Sequence, residues 1–267
     1  MEIKDLRQIG GNLLKEISVI RHSPDIKKAV GYGAAGDKTF PIDNIAEEII
    51  INGLKSLREP LTIVSEEIGV IDINSGGRKV IIDPIDGSKN AISGIPFYCT
   101  AIAVADGDTL NDVNLSYVIN LINGDEFWAE KGSGVFLNGK QVHSQKDDEF
   151  YLVAYEAQSP GKDVTSILPL ISKSRKTRCL GATALDLAYL SYGAISVFVS
   201  PSPSRSFDFA GGWLLVKESG GIMTNLEGGD INHIPLDLKR STSLLASGNQ
   251  QLHQKTIELL SKKNLPG

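Results

Sequence analysis

Cysteine is scarce in this sequence, and what is missing excludes several classes of protein. Cys99 and Cys179 are the only cysteines, and no CxxC pair occurs. This argues against a disulfide-rich scaffold and a zinc ribbon, and it favours a reducing, cytoplasmic environment. The formal net charge is −5 and no run of Lys or Arg forms a basic stripe, so nucleic acid is not an expected partner.

Long apolar runs are missing as well. The longest uncharged stretches, such as AISVFVSPSPS, are far shorter than the roughly 20 residues that span a bilayer. Charges are spread through the start of the chain, which has no apolar signal-peptide core, so we expect neither secretion nor a membrane partner. The 267 residues, 41% of them hydrophobic, suffice for one large domain or two closely joined halves.

Hydrophobic spacing predicts two helices and then strands in the first half. Apolar residues recur at helical intervals over residues 6–20 and 45–54, and Asp43-Asn44 marks the expected start of the second helix. LTIVS, KVIID, TAIAVAD, LSYVINL and DEFWAEK are typical of strands. Asn138-Gly139 between two short runs predicts a tight hairpin. The first half should therefore be two helices followed by a largely antiparallel sheet.

Strands and helices alternate in the second half. YLVAY, TRCL, ISVFVS, GGIMTN and SLLAS are typical of strands, and helical stretches lie near 163–172, 184–191, 209–219 and 250–262. This alternation predicts a partly parallel sheet with helices on its faces. The pattern changes around residues 144–150, which divides the chain into two halves, 1–147 and 148–267, that share an interface.

Acidic residues stand at the ends of three apolar runs. Glu66 and Glu67 end one strand, Asp83 and Asp86 end another, and Asp208 immediately precedes a predicted helix. Neighbouring strands can end on the same side of a sheet, so Glu66, Asp83 and Asp86 are candidates to converge. Crowded carboxylates repel one another unless protons or cations neutralise them. A ligand set of oxygens suits Mg²⁺, Mn²⁺ or Ca²⁺ better than zinc.

Each of these carboxylates also has a simpler explanation. Asp83 and Asp86 could belong to an ordinary turn, Asp208 could cap a helix, and Glu66 and Glu67 could be a solvated strand end. The joint occurrence of SEE, DPIDGS and FDFAGG in one chain is more specific than any single motif.

Taken together, SEE, DPIDGSKN and FDFAGGWLLVKESGG resemble the inositol monophosphatase family, whose superfamily includes fructose 1,6-bisphosphatases and nucleotide 3′-phosphatases. The first family motif, D-P-[IL]-D-G-[ST]-x-N, is met at every fixed position by residues 83–90. The second, [WF]-D-x-A-[AG]-G followed by an apolar stretch and Gly-Gly, is met by residues 207–221. The resemblance implies a mixed α/β fold, a layered αβαβα sandwich with an antiparallel N-terminal sheet and a mixed C-terminal one.

The resemblance implies two or three Mg²⁺ ions per site, with Mn²⁺ as a substitute. Glu66, Asp83 and the Ile85 carbonyl would bind one ion. Asp83, Asp86 and Asp208 would bind a second, which would stabilise the departing alkoxide.

Catalytic positions follow from the same resemblance. Glu66 and the Ser88 hydroxyl would hold the attacking water, and the backbone N–H groups of Gly87 and Ser88 would hold the phosphate at the start of a short helix. Asp43 is a further catalytic candidate, which could instead only cap the second helix.

YGAAGDKTFPID resembles the mobile loop of the family, with Asp37, Thr39 and Asp43 at the matching positions. Such a loop would close over the site and open again. An ordinary glycine-rich connector is the alternative.

Substrate contacts are implied by RCLGATALDL, which matches the family segment that contacts the alcohol. The matching residues are Gly181, Ala182, Thr183 and Asp186. Where animal inositol monophosphatases carry a Glu for the inositol hydroxyls, this chain has Pro201, which weakens a strict inositol specificity.

Arg178 and Arg205 instead resemble the archaeal and thermophilic branch, which also hydrolyses fructose 1,6-bisphosphate. Guanidinium groups suit a second phosphate because they bind it bidentately and stay charged. The alternative is that both arginines belong to surface salt bridges.

The expected function is therefore Mg²⁺-dependent hydrolysis of small sugar or polyol phosphates, above all inositol monophosphate and fructose 1,6-bisphosphate, by a homodimer. A 3′(2′),5′-bisphosphate nucleotidase would use the same metals and is one alternative. The other is a non-catalytic metal- or anion-binding module, against which the intact Glu66 and Ser88 argue.

Overall fold

In a computed structural model that describes residues 1–261, strands predominate in the first half of the chain, and helices and strands alternate in the second. The helices are α1 (Ile3–Ile20), α2 (Pro41–Ser56), α3 (Ser88–Ser93), α4 (Pro160–Ile171), α5 (Thr183–Ser191), α6 (Ser206–Glu218) and α7 (Gln250–Ser261). The strands are β1 (Gly31–Tyr32), β2 (Lys38–Thr39), β3 (Leu61–Ser65), β4 (Gly69–Ile73), β5 (Arg78–Asp86), β6 (Cys99–Ala105), β7 (Val113–Asn120), β8 (Glu126–Glu130), β9 (Gly134–Leu137), β10 (Lys140–Val142), β11 (Leu152–Tyr155), β12 (Lys176–Arg178), β13 (Val197–Arg205), β14 (Ile222–Thr224) and β15 (Arg240–Ser247).

The first sheet has eight strands in the order β10-β9-β8-β7-β6-β5-β3-β4. Adjacent strands in this sheet run antiparallel, with one exception. Strands β3 and β5 run parallel, with Ser65 opposite Ile82. Because the two strands share a direction, the residues that follow this pair, Glu66 and Asp83, lie side by side. The register therefore brings together two acids that the sequence predicted would converge.

Helices α1 and α2 cover one face of this sheet. Leu6, Leu13 and Ile17 on α1 are fully buried, as the helical spacing predicts, and they belong to one core cluster with apolar residues of α2 and the sheet. Every residue of β6 is buried. Because successive side chains of a strand point to opposite faces of the sheet, a second layer must cover the opposite face.

That second layer is α5 and α6, which lie between the two sheets. On α6, a Cβ added at Gly212 would lie 2.5 Å from a side-chain carbon of Leu187 on α5. The glycine pair of the second motif thus permits close approach of the two helices.

The five-stranded sheet follows in the order β12-β11-β13-β15-β14. Its β11 runs parallel to both neighbours, whereas β15 runs antiparallel to β13 and β14. Helices α4 and α7 cover its outer face. The layered αβαβα sandwich, with one largely antiparallel and one mixed sheet, is confirmed.

The details show where the sequence analysis was accurate and where it was wrong. Asn138 and Gly139 form the hairpin turn with φ of 50° and 81°, as predicted. Helix α2 begins at Pro41, two residues earlier than expected, because proline is well suited to the first helical position. Strand β4 at the sheet edge was not predicted. Asp208 lies inside the first turn of α6, rather than before the helix.

The division into 1–147 and 148–267 falls between β10 and β11 and remains a prediction. The segment between them is tied to the second half, since the Ser144 hydroxyl lies 2.6 Å from the Gly248 carbonyl oxygen. Among residues 1–261, no helix is both long enough and apolar enough to cross a membrane.

Candidate active site

A cleft of about 700 Å³ is lined by residues from both halves of the chain. Most of the site residues that the sequence predicted meet there. They are Asp37, Glu66, Asp83, Ile85, Asp86, Gly87, Ser88, Gly181, Thr183, Arg205 and Asp208.

The turn after β5 is fixed by backbone geometry and by one amide side chain. Gly87 has φ of 91°, and a Cβ there would lie 3.1 Å from the carbonyl oxygens of Gly181 and Phe97. Only glycine adopts this conformation without strain at so close an approach. The Asn90 side chain donates to the carbonyls of Phe97 (2.7 Å) and Leu180 (2.6 Å). The turn is therefore locked to the second half of the chain.

Asp83 lies buried within the cluster of acids. Its side chain is buried, and its Oδ1 atom finds no hydrogen-bond partner among residues 1–261. Burial, together with the charges of Glu66, Asp86 and Asp208, raises the pKa of Asp83 well above its usual range. Burial and the charge of Asp208 likewise raise the pKa of Glu66. These carboxylates are destabilised by one another when ionised.

Asp86 and Asp208 each cap a helix while facing the cleft. The backbone N–H groups of Thr183 and Ala184, at the start of α5, donate to Asp86 Oδ1 (3.2 Å) and Oδ2 (2.6 Å). The backbone N–H of Arg205 donates to Asp208 Oδ2 (2.8 Å). Burial raises the pKa of Asp86 to about 8 and that of Asp208 to about 6. The capping explanation and the ligand explanation are thus compatible.

This donor set fits hard divalent cations. A buried carboxylate oxygen without a partner needs a proton or a cation, and Asp83 supplies such an atom beside three further carboxylates. In the described part of the chain, no three His, Cys, Asp or Glu side chains form a ready-made metal cage. Mg²⁺ commonly binds through one or two carboxylates and takes its other ligands from water and phosphate. Glu66, Asp83, Asp86, Asp208 and the Ile85 carbonyl are therefore suitable ligands.

Ser88 and Asp43 form a hydrogen-bonded pair at the edge of this cluster. The Ser88 hydroxyl lies 2.7 Å from Asp43 Oδ1 and 2.8 Å from the Ile85 carbonyl oxygen. The other Asp43 oxygen accepts from the backbone N–H of Phe40 (2.8 Å), which caps α2. Burial raises the pKa of Asp43 to about 6. Asp43 therefore caps α2 and contacts Ser88 at the same time, so the capping contact is compatible with the predicted catalytic role.

The glycine-rich segment forms a hairpin, β1–β2, whose turn reaches the cleft. Its backbone is joined to the end of β3, since Ala34 N–H donates to the Glu67 carbonyl (2.8 Å) and Ala35 N–H to the Glu66 carbonyl (3.1 Å). Thr39 donates to the Glu67 carboxylate. Asp37 pairs with Arg205 at 2.5 Å. The predicted loop thus lies over the site and is held there by several contacts.

The predicted substrate residues separate into two groups. Gly181 and Thr183 line the cleft, whereas Ala182 is buried behind them as the residue before α5. Asp186 is fully buried and lies away from the cleft surface. Arg178 lies outside the cleft at the end of edge strand β12, and its guanidinium donates to the Thr177 carbonyl.

Several cleft residues were missed by the sequence analysis. Glu156, Gln158 and Arg240 line the cleft, and Glu156 accepts from the Gly181 backbone N–H at 2.9 Å. Burial raises the pKa of Glu156 to about 7. Glu156 directly follows the predicted strand YLVAY, so the rule that selected Glu66 would have found it. Arg240 lies outside the two family motifs.

Comparisons with known proteins agree with this geometry. The family model described as the inositol monophosphatase family matches residues 6–265. The chain belongs to the inositol monophosphatase family. A fructose-1,6-bisphosphatase/inositol-1-monophosphatase of Methanothermobacter thermautotrophicus is 38% identical over 260 residues, 92% of this chain and 91% of that protein.

Two further similar proteins bear on function. A crystal structure of an inositol monophosphatase–fructose 1,6-bisphosphatase has a TM-score of 0.85 at 29% identity and covers 97% of this chain and all of its own. A bifunctional NADP phosphatase/NAD kinase of Methanocaldococcus jannaschii is 32% identical over 88% of this chain and 46% of its own length. The family is metal-dependent, as the carboxylate cluster independently suggests.

The raised carboxylate pKa values predict how the metal-free protein responds to pH. Asp86 has a pKa of about 8 when folded and an ordinary value of 3.8. Between these values the folded protein binds more protons than the unfolded chain, so the free energy of unfolding falls as pH rises. With a chelator present, the melting temperature should drop between about pH 5 and about pH 8, and Mg²⁺ should restore it mainly at the higher pH.

Calorimetry at several pH values, with chelator and then with Mg²⁺, measures this effect. The Asp86→Asn protein is the control, because its melting temperature should depend less on pH in this window. A wild-type melting temperature that rises steadily from about pH 5 to about pH 8 in chelator would contradict the prediction.

Proposed function

We propose that this protein is a Mg²⁺-dependent phosphomonoesterase that hydrolyses small sugar and polyol phosphates. The observation that carries the proposal is the unpartnered Asp83 Oδ1 in a carboxylate-lined cleft, beside the hydrogen-bonded Ser88 and Asp43. Inositol monophosphate and fructose 1,6-bisphosphate are the leading substrates, because the relatives with the same fold are named for them. The cleft volume is in the range of small-molecule sites.

Glu66, Asp83, the Ile85 carbonyl, Asp86 and Asp208 are the proposed ligands of two or three Mg²⁺ ions, with Mn²⁺ as a substitute. When bound, the cations supply charge stabilisation to the phosphate and to the departing oxygen. The helix-capping contacts of Asp86 and Asp208 hold both side chains in place at the cleft. They also favour the ionised carboxylates, which partly opposes the rise in pKa caused by burial.

Water activation is assigned to Glu66 and Ser88, with Asp43 as a positioning residue. When Ser88 donates its hydroxyl hydrogen to Asp43, its oxygen lone pairs are left to accept a hydrogen bond from water. Glu66 accepts the proton of that water as its oxygen bonds to phosphorus. The ester P–O bond breaks, and the departing alkoxide takes up a proton from solvent.

The assembly and location remain part of the proposal. Family membership favours a homodimer, and the cysteine content favours the cytoplasm. Sedimentation of the purified protein tests the first point directly.

A nucleotide phosphatase is the second candidate, favoured by the similarity to the NADP phosphatase/NAD kinase. A panel of phosphate-release assays with Mg²⁺ separates the two. It should contain inositol 1-phosphate, fructose 1,6-bisphosphate, 3′-phosphoadenosine 5′-phosphate and NADP. The proposal predicts the largest kcat/KM on the first two substrates. Preference for either nucleotide would favour the second candidate, and no release from any of them would favour a non-catalytic binding module.

A further inference from the structure

Two guanidinium groups in the cleft approach the same carboxylate oxygen. Arg205 Nη1 lies 2.5 Å and Arg240 Nη2 lies 3.9 Å from Asp37 Oδ2. We propose that Arg205 and Arg240 bind a second phosphate of the substrate, and that Asp37 occupies their site until that phosphate arrives. The inference deepens the proposed function and rests on it. Arg240 takes the role that the sequence analysis gave to Arg178.

The sheet register supports this pairing. Arg205 at the end of β13 and Arg240 at the start of β15 are direct cross-strand partners. Like charges opposite each other destabilise a strand pair, so an anion between them is needed to offset the repulsion. Asp37 provides one negative charge from the hairpin turn. A phosphate dianion would provide more charge and more acceptor oxygens for the same two donors.

Arg240 is held in position before any ligand binds. Its Nη1 atom donates to Gln158 Oε1 (2.7 Å) and to the Pro203 carbonyl (3.0 Å). Its Nη2 atom is left facing Asp37 at a distance longer than a hydrogen bond. Because the guanidinium group is planar and rigid, the two hydrogen bonds of Nη1 also fix the direction in which Nη2 points. The 39% exposure of this side chain keeps it accessible to a ligand.

The site is close enough to the carboxylate cluster to serve one substrate. Arg205 and Arg240 line the same cleft as Asp208, and the backbone N–H of Arg205 donates to Asp208 Oδ2 at 2.8 Å. A bisphosphate can therefore place one phosphate at the carboxylates and the other at the arginines. Asp37 would then be displaced from Arg205. The β1–β2 hairpin would thereby lose its ion pair with Arg205.

The inference predicts opposite effects for two substitutions. Arg240→Gln should lower kcat/KM for fructose 1,6-bisphosphate by about 10- to 100-fold, the range of one charged hydrogen bond. Its kcat/KM for fructose 1-phosphate, which lacks the second phosphate, should fall much less, because that substrate has no phosphate to place at Arg240. Asp37→Asn should lower the KM for the bisphosphate, because a competing anion is weakened.

Lys239→Gln is the matched control, since it removes the same charge one residue away on the exposed surface outside the cleft. Calorimetric titration with fructose 1,6-bisphosphate compares how tightly the same proteins bind this substrate, without relying on hydrolysis. The inference is overturned if Arg240→Gln binds the bisphosphate as tightly as wild type, or weakens both substrates equally, or matches Lys239→Gln. If the wild type hydrolyses neither sugar phosphate, the proposed function fails, and the titration still decides whether Arg240 binds the second phosphate.

Discussion

The Asp83→Asn protein is expected to lose its turnover and yet, when free of metal, to melt at a higher temperature than wild type. Asp83 is buried with an unpartnered oxygen, and its charge opposes those of Glu66, Asp86 and Asp208. Removing that charge relieves the repulsion and abolishes the need to bind a proton on folding. Each kcal/mol gained should raise the melting temperature by about 2–4 °C in a chain of this size.

The same substitution removes a ligand shared by both proposed ions. Loss of outer-shell partners alone lowers metal affinity or activity by roughly 10- to 100-fold, so kcat/KM should fall by more than about 100-fold. Glu48→Gln on the exposed face of α2 is a control with the same charge change, and it should alter neither quantity. An Asp83→Asn protein that melts lower in chelator, or keeps most of its turnover with Mg²⁺, would show that Asp83 is a structural acid.

Ser88→Ala should lower kcat by roughly 100-fold or more with little change in KM, as expected when a group that positions the reacting water is lost. Asp43→Asn should cause a loss of the same kind, because Asp43 acts through the Ser88 hydroxyl at 2.7 Å. The double variant should be little worse than the worse single variant, since residues that act as a unit are not additive. Glu66→Gln should also lower kcat, by removal of the proton acceptor.

Ser88→Thr is the matched control, because it keeps the hydroxyl and the family motif allows it. It should retain most of the wild-type kcat in steady-state assays at saturating Mg²⁺. Near-normal kcat in Ser88→Ala, or additive losses in the double variant, would remove the pair from the catalytic assignment. If Glu67→Gln loses activity and Glu66→Gln does not, the proton acceptor is Glu67 and not Glu66.

The members of the carboxylate cluster were predictable because each adjoins an apolar run and belongs to a family motif, whereas the parallel pairing of β3 with β5 was not predicted. Glu66 and Asp83 both follow β-branched runs, and parallel pairing of β3 with β5 sets them side by side. Glu156 follows the same rule after β11 and was missed only because no family motif marks it. Strand β4 lies at the sheet edge, and two of its five residues are exposed, so its apolar signal is weak.

The arginines show what sequence alone does not contain. Arg178 and Arg205 both precede motif residues, but Arg178 ends an edge strand and lies outside the cleft. Arg240 reaches the cleft only through its antiparallel register with Arg205, 35 residues earlier in the chain. Such long-range pairing depends on tertiary packing, and spacing along the sequence does not determine it. The contact of Asp43 on α2 with Ser88 on α3 likewise depends on tertiary packing.

The central claim, that this cluster binds cations in order to hydrolyse phosphate esters, is tested most directly by one titration. Metal-free protein is titrated with Mg²⁺ while phosphate release from fructose 1,6-bisphosphate or inositol 1-phosphate is followed, alongside the Asp83→Asn protein. The account predicts no release in chelator, a saturable rise of wild-type activity with Mg²⁺, and almost no rise for Asp83→Asn. Full wild-type turnover in excess chelator, or an identical Mg²⁺ response in the two proteins, would contradict it.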